Sequence, residues 1–208
     1  GFTLNASTYT FIGRRLVEAG PRHFEQEVET STFAASLDGQ WNLFSHDWYW
    51  DANLSWGDNK ARQSFTGDVN VANLQRALGP NALCTGSCVP LNLFGGGGTI
   101  TPQMLGFIGY TEHNASESQL VDFTYNMTGD LATLPAGPLA IAMGFEYRHV
   151  SGSFTPDPVT EAGLTSDIPA RSGSGDYDVN ELYSELRIPI LADQPFFYML
   201  EASVAGRV

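Results

Sequence analysis

Period-two alternation constrains this chain more than any other feature. The stretch "GPLAIAMGFEYRHV", Gly137–Val150, sets Leu139, Ile141, Met143, Phe145 and Tyr147 against Ala140, Ala142, Gly144, Glu146 and Arg148. Strict alternation over about ten residues makes a strand with one apolar and one polar face. "QLVDFTYNMTGDL" sets Val121, Phe123, Tyr125 and Met127 against Asp122, Thr124, Asn126 and Thr128. "DVNELYSELRIPIL" sets Leu182, Leu186, Ile188 and Ile190 against Glu181, Tyr183, Glu185 and Arg187. "PFFYMLEASVAGRV" sets Phe196, Tyr198, Leu200, Ala202 and Val204 against Glu201, Ser203 and Arg207. Counting the third stretch from Glu181, where its alternation starts, every Asp, Glu and Arg takes the less apolar parity. Blind placement would give that about one time in thirty for period-two strands.

Three earlier segments are noisier. "WYWDANLSW" places Trp48, Trp50, Leu54 and Trp56 on one parity and Asp47, Tyr49, Asp51 and Asn53 on the other. "FEQEVETSTFAA" puts Glu25, Glu27 and Glu29 on the parity that Phe33 and Ala35 then share, which a bulge or register change would explain. "STYTFIGRRLVEAG" reads as a further, weakly patterned strand. The sum is about seven strands.

The connections carry the asymmetry. Short turns are expected at "LDGQ" (Leu37–Gln40), at "ATLPAGP" and at "LADQP". The intervening links are Gly20–His23, which is short, then about 57–116 and about 151–176, so the asymmetry rests on two long links. Short turns on one side and long loops on the other are what outer-membrane barrels show. Within the first loop a short helix is expected over 68–78, with Asp68 as N-cap, Val71, Leu74 and Leu78 as its stripe, and Gly79-Pro80 as its stop. Structural packing is favoured over partner binding for that stripe. The Gly95–Gly98 run lacks the strand, helix and Lys of a phosphate cradle and reads as a flexible loop.

Composition excludes some classes. A net charge of −13 with a single lysine, Lys60, argues against a nucleic-acid surface and against a polybasic membrane patch. No apolar run approaches the roughly 20 residues of a membrane helix. That leaves a membrane β-barrel open, because alternating strands keep average hydropathy modest. Cys84 and Cys88 lie four positions apart around a Gly-Ser turn, close enough for a small disulfide and suited to an exported, oxidising compartment. A zinc site is the alternative, without a second Cys or His pair at ligand spacing.

A packed sandwich would alternate as well, so period alone does not choose between core and lipid. Three observations favour lipid. The best segments reach the length a tilted spanning strand needs. Their apolar parity, from Glu181 on in the third, carries no formal charge. Aromatics gather near segment ends, with Phe196, Phe197 and Tyr198 beside "LADQP" and Trp48, Trp50 and Trp56 leading into the long loop. The expected fold is a partial antiparallel transmembrane β-barrel.

The residues also resemble a family. "CVPLNLFGGGGTIT", then "LPAGPLAIAMGFEYR", then "NELYSELRIPIL" is similar to the barrel of TonB-dependent outer-membrane receptors, strongest from about 73 to 207. The resemblance implies a barrel of about 22 strands closed by an N-terminal plug. It implies active uptake of a scarce nutrient (ferric siderophore, cobalamin or oligosaccharide) across the bacterial outer membrane, driven by the TonB complex through the plug. With about seven strands, no plug, no TonB-contacting box and no terminal aromatic in "VAGRV", the expectation is an internal piece of such a receptor. Its partners would be outer-membrane lipid and a small-molecule ligand, with no nucleic acid and no cofactor. By resemblance Cys84–Cys88 is a small extracellular-loop disulfide that stiffens its loop. The alternatives are a passive porin or adhesin-like barrel, and a secreted sandwich that binds carbohydrate.

Candidate chemistry is sparse. Asp122, Glu146, Arg148, Glu181, Glu185, Arg187 and Glu201 would face a watery lumen, as wall ion pairs more than ligand contacts. Asp47 and Asp51 beside His46 suggest a metal, but they belong to the same polar row. Glu181 and Glu185 on one strand have Cα atoms roughly 13 Å apart, poor geometry for a glycosidase pair. His23, His46, His113 and His149 are scattered, and no catalytic arrangement is legible, so no enzyme is expected. Ligand contact falls by loop position to Phe94, Tyr110 and His113.

Overall fold

The computed structural model describes residues 13–43 and 45–208. Six strands form one antiparallel sheet in the order of the chain: β1 His23–Leu43, β2 His46–Val69, β3 Gly109–Leu134, β4 Gly137–Thr155, β5 Gly173–Gln194 and β6 Phe197–Arg207. β1 and β6 are its edges, so the sheet is not closed. No helix among the described residues is long and apolar enough to cross a membrane. The strands reach 26 residues in β3, against a usual five or six.

The register accounts for the alternation. Ile141 pairs with Leu186 and Phe145 with Leu182 on one face, while Ala142 pairs with Glu185, Gly144 with Tyr183 and Glu146 with Glu181 on the other. Leu186 in turn faces Val204, and Ile188 faces Ala202. The apolar row therefore continues from strand to strand. No second sheet covers it among the described residues, and Leu182 and Val204 are 58% and 64% exposed.

Several expectations are corrected. Six strands are described where about seven were expected. "STYTFIGRRLVEAG" lies partly outside the described residues, and its latter half holds a 3-10 turn at Val17–Ala19. "LDGQ" is not a turn: it lies inside β1, and the chain reverses between Leu43 and His46. Gly39 is there because the Trp50 ring of β2 lies 2.9 Å from where its Cβ would be. Trp48 and Trp50 consequently stand beside the first short turn, not at the approach to the long loop. Trp50 stacks on Trp41 and Tyr125. β1 is one continuous strand, and the row that reads Phe33, Ala35 and Leu37 carries Glu29, Glu27 and Glu25 further from the turn. Phe196, grouped by parity with β6, sits in the last turn with φ 75.

Short turns join β1 to β2, β3 to β4 and β5 to β6, and the long links 70–108 and 156–172 join the remaining pairs. In a meander, successive links fall at alternate ends, so all three short turns share one end of the sheet. Both long links are shorter than expected because the strands run further.

The chain divides into two compact units: a loop unit of residues up to 27, 62–115 and 155–172, and a sheet unit of 28–61, 116–154 and 173–208. The loop unit has its own small core of Ala77, Leu91, Ile100 and Ile108, with Leu74, Met104 and Leu105 packed against it. Helix α1, Val71–Leu78, supplies Leu74 and Ala77 to that core, and α2, Pro102–Ile108, supplies Ile108. α1 starts at Val71 and is capped by Asn70, whose side chain accepts from the Asn73 amide. Asp68, expected as the cap, is still in β2 and is buried, accepting a hydrogen bond from the Ser166 hydroxyl. Leu78, expected in the stripe, is exposed.

Candidate functional site

The polar row of the sheet unit carries several hydrogen-bonded groups that cross between strands. On β2 and β3, Asp51 accepts from the side-chain amides of Asn53 and Asn126, each at 2.7 Å. Asn126 Oδ1 accepts from the Tyr183 hydroxyl of β5 at 2.5 Å. Further along, the register sets Glu146 directly opposite Glu181, a like-charge pair that costs stability unless offset. Arg207 of β6 offsets it by pairing with both carboxylates, and Arg148 pairs with Glu146 and reaches Asp122 at 3.7 Å. Ser203 donates to Glu185 at 2.6 Å.

Arg187, Glu185, Asp47, Tyr49 and Asp130 line a groove of about 640 Å³ near the short turns. Glu201 takes the same row of β6 as Ser203, opposite Pro189. Exposed ion pairs each contribute at most about 1 kcal/mol. This network therefore has little effect on stability. Asp47, weighed with His46 for a metal, instead accepts from Asn42 at 3.0 Å, and Asp51 is committed to its two amides.

The loop unit brings Tyr110 and His113 together through a residue the sequence reading passed over. Asp157 accepts from the His113 amide at 3.3 Å and from the Val159 amide at 2.9 Å. Partial burial alone would raise its carboxyl. The neighbouring Tyr110 hydroxyl and those two amides outweigh burial and hold it below the usual range. Burial, then the Asp157 and Glu112 charges, push the Tyr110 phenol well above its ordinary value. Asp157 was legible: "DP" before an apolar residue is an N-cap followed by proline at the first helical position, here of α3, Pro158–Glu161.

Tyr110 also lines a cavity of about 690 Å³ with Arg14, Arg22 and the buried Asp68. Asp68 Oδ2 is buried without a hydrogen-bond partner among the described residues. A buried polar atom is seldom left so, and a cavity lined by one is suited to a polar ligand. Phe94 takes no part in this group. Its side chain is 72% exposed and its amide donates to Asn92 Oδ1 at 3.0 Å.

The four-glycine run is tied down. Arg14 pairs with Glu18 at 2.7 Å and donates to the Gly96 carbonyl at 2.9 Å, while the Gly98 amide donates to Glu18 at 2.8 Å. Cys84 and Cys88 are joined, their Cα atoms 5.1 Å apart, in the turn that follows α1 and the 3-10 turn Asn81–Leu83. Compared with protein-family models and with curated proteins, the chain matches none.

Proposed function

We propose that this chain forms part of the wall and the ligand-binding loops of a TonB-dependent receptor, which takes up a scarce nutrient across a bacterial outer membrane. One observation carries the reading: the apolar row is continuous over neighbouring strands, bare of protein cover among the described residues, and ends at a common height. On β4 it runs from Leu139 to Tyr147 and then becomes His149, Ser151 and Ser153; on β5 the partners of those three are Asp178, Asp176 and Ser174. From Leu139 to Tyr147 a strand rises roughly 26 Å along its own axis. At a tilt near 40° that is about 20 Å, most of the roughly 25 Å height of an outer-membrane apolar band.

The polar row then lines water, which fits its exposed ion pairs. The long links carry the cavity with Tyr110, Asp68 and Arg14 as the candidate ligand site. The receptor reading itself leans on the sequence resemblance, and the passive porin remains its rival.

Energy coupling separates the two. In cells carrying the full-length protein, uptake of one among a ferric siderophore, cobalamin and an oligosaccharide should fall on deletion of its gene and stop when a protonophore is added. Gene-dependent uptake that survives the protonophore supports the porin. Unchanged uptake of all three on deletion counts against both.

A further inference from the structure

We propose a divalent-metal site of the zinc type formed by His149, Asp178 and Asp176 on one face of β4 and β5. It goes beyond the transport reading and stands on the sheet's register, whatever covers the apolar row. His149 pairs with Asp178 across the two strands, and Ser151 pairs with Asp176. Two residues apart on one strand, the aspartates project from the same face, the face that carries His149.

One ligand atom from each of the three lies within 4.8 Å of the other two. His149 Nδ1 is 2.8 Å from Asp178 Oδ1, and the Tyr147 hydroxyl donates to that same oxygen at 3.0 Å. A hydroxyl that orients a ligating carboxylate is the usual outer partner of a metal ligand.

A histidine–aspartate hydrogen bond explains two of the three residues and leaves the third. The Asp176 carboxylate converges on the pair although a second carboxylate repels it, and no lysine or arginine pairs with either aspartate among the described residues. Lys60, the chain's only lysine, is engaged with Asp58 at 3.0 Å and Glu117 at 3.3 Å. Asp176 instead borders a polar cleft of about 300 Å³ that also meets Glu117, Ser151 and Ser174.

A cation resolves the convergence. Zinc held at about 2.0–2.2 Å from each atom needs them roughly 3–3.5 Å apart, which small side-chain rotations supply at exposed positions. One imidazole nitrogen with two carboxylates suits zinc, whereas calcium takes six or more oxygens. Three protein ligands leave a fourth position open to solvent.

Titration calorimetry of the full-length protein in detergent micelles with zinc chloride tests the site. Saturable binding is expected, weakened about tenfold or more by Asp176→Asn and by His149→Ala. Asp176→Asn leaves the His149–Asp178 bond in place, so a purely structural pair would not respond to it. Asp58→Asn, a carboxylate on another strand, should change affinity less than about twofold. No saturable binding, or binding indifferent to Asp176→Asn, overturns the proposal. Should a variant fail to fold, the His149 ring resonances of the unaltered protein decide: zinc must shift them, and zinc binding that leaves them unmoved also overturns it.

Discussion

Three glycines in the sheet unit are placed by aromatic rings on neighbouring strands. A Cβ at Gly39 would meet the Trp50 ring, one at Gly129 the Trp48 ring, and one at Gly144 the Tyr183 ring. None of the three has a positive φ, so room rather than backbone freedom selects glycine. An aromatic laid across a strand glycine also restores the packing the glycine lacks. Gly144→Val should displace the Tyr183 ring and break its bond to Asn126, lowering stability by about 1–3 kcal/mol as overpacking does. Gly57, with nothing near its missing Cβ, is the control: Gly57→Val should stay within about 0.5 kcal/mol. Guanidinium unfolding midpoints in micelles compare the two, and equal shifts would refute the packing account. At this scale the sequence is legible where the cause is local. The parity of Glu146, Arg148, Glu181 and Arg187 follows from strand period alone. Gly39 was misread as a turn residue because what demands it is Trp50, on a different strand.

The elements show the same division. Period two found the strand cores of β3, β4, β5 and β6, yet undershot the lengths of the first three, since their apolar rows turn polar near the long links and the alternation fades. The first-loop helix was legible from its spacing and its Gly-Pro stop. Its start was not, because Asp68 looks like a cap but is held in β2 by Ser166. α3 was missed although its Asp-Pro start is a local signal. That start gives a pH prediction. The Asp157 carboxyl lies below its ordinary value, so its contribution is fully present above about pH 4 and is lost as pH falls through the depressed folded value. The Tyr110 phenol lies above its ordinary value, so its contribution is present below about pH 10 and is lost as pH rises further. Hydrogen-exchange protection of the His113 and Val159 amides, corrected for intrinsic rates, should therefore be flat between those limits and fall at both ends. Asp157→Asn should remove the acid limb. If that limb persists in the variant, another carboxylate is responsible.

For the molecule as a whole, the same strands carry two opposite messages along one row, and that gives the membrane reading its sharpest test. On β4, Met143 lies near the middle of the apolar stretch and Ser151 lies on the same parity beyond Tyr147. Ala142, one residue from Met143, takes the opposite row, paired with Glu185. If acyl chains cover the odd row, an arginine at Met143 sits near the bilayer midplane and costs about 2–4 kcal/mol, whereas one at Ser151 lies at the interface and costs about 0–1 kcal/mol. Ala142→Arg meets water and the Glu185 carboxylate and should also cost under about 1 kcal/mol. A covering protein layer would predict otherwise: a second sheet packs over a strand along its length, so Met143→Arg and Ser151→Arg would be penalised alike. Unfolding free energies of the three variants, measured on the full-length protein refolded into phospholipid vesicles, distinguish these cases. A graded cost from Met143 to Ser151 with a tolerant Ala142 supports lipid on that row. Equal costs at Met143 and Ser151 would remove the membrane wall and, with it, the transport function built on that wall.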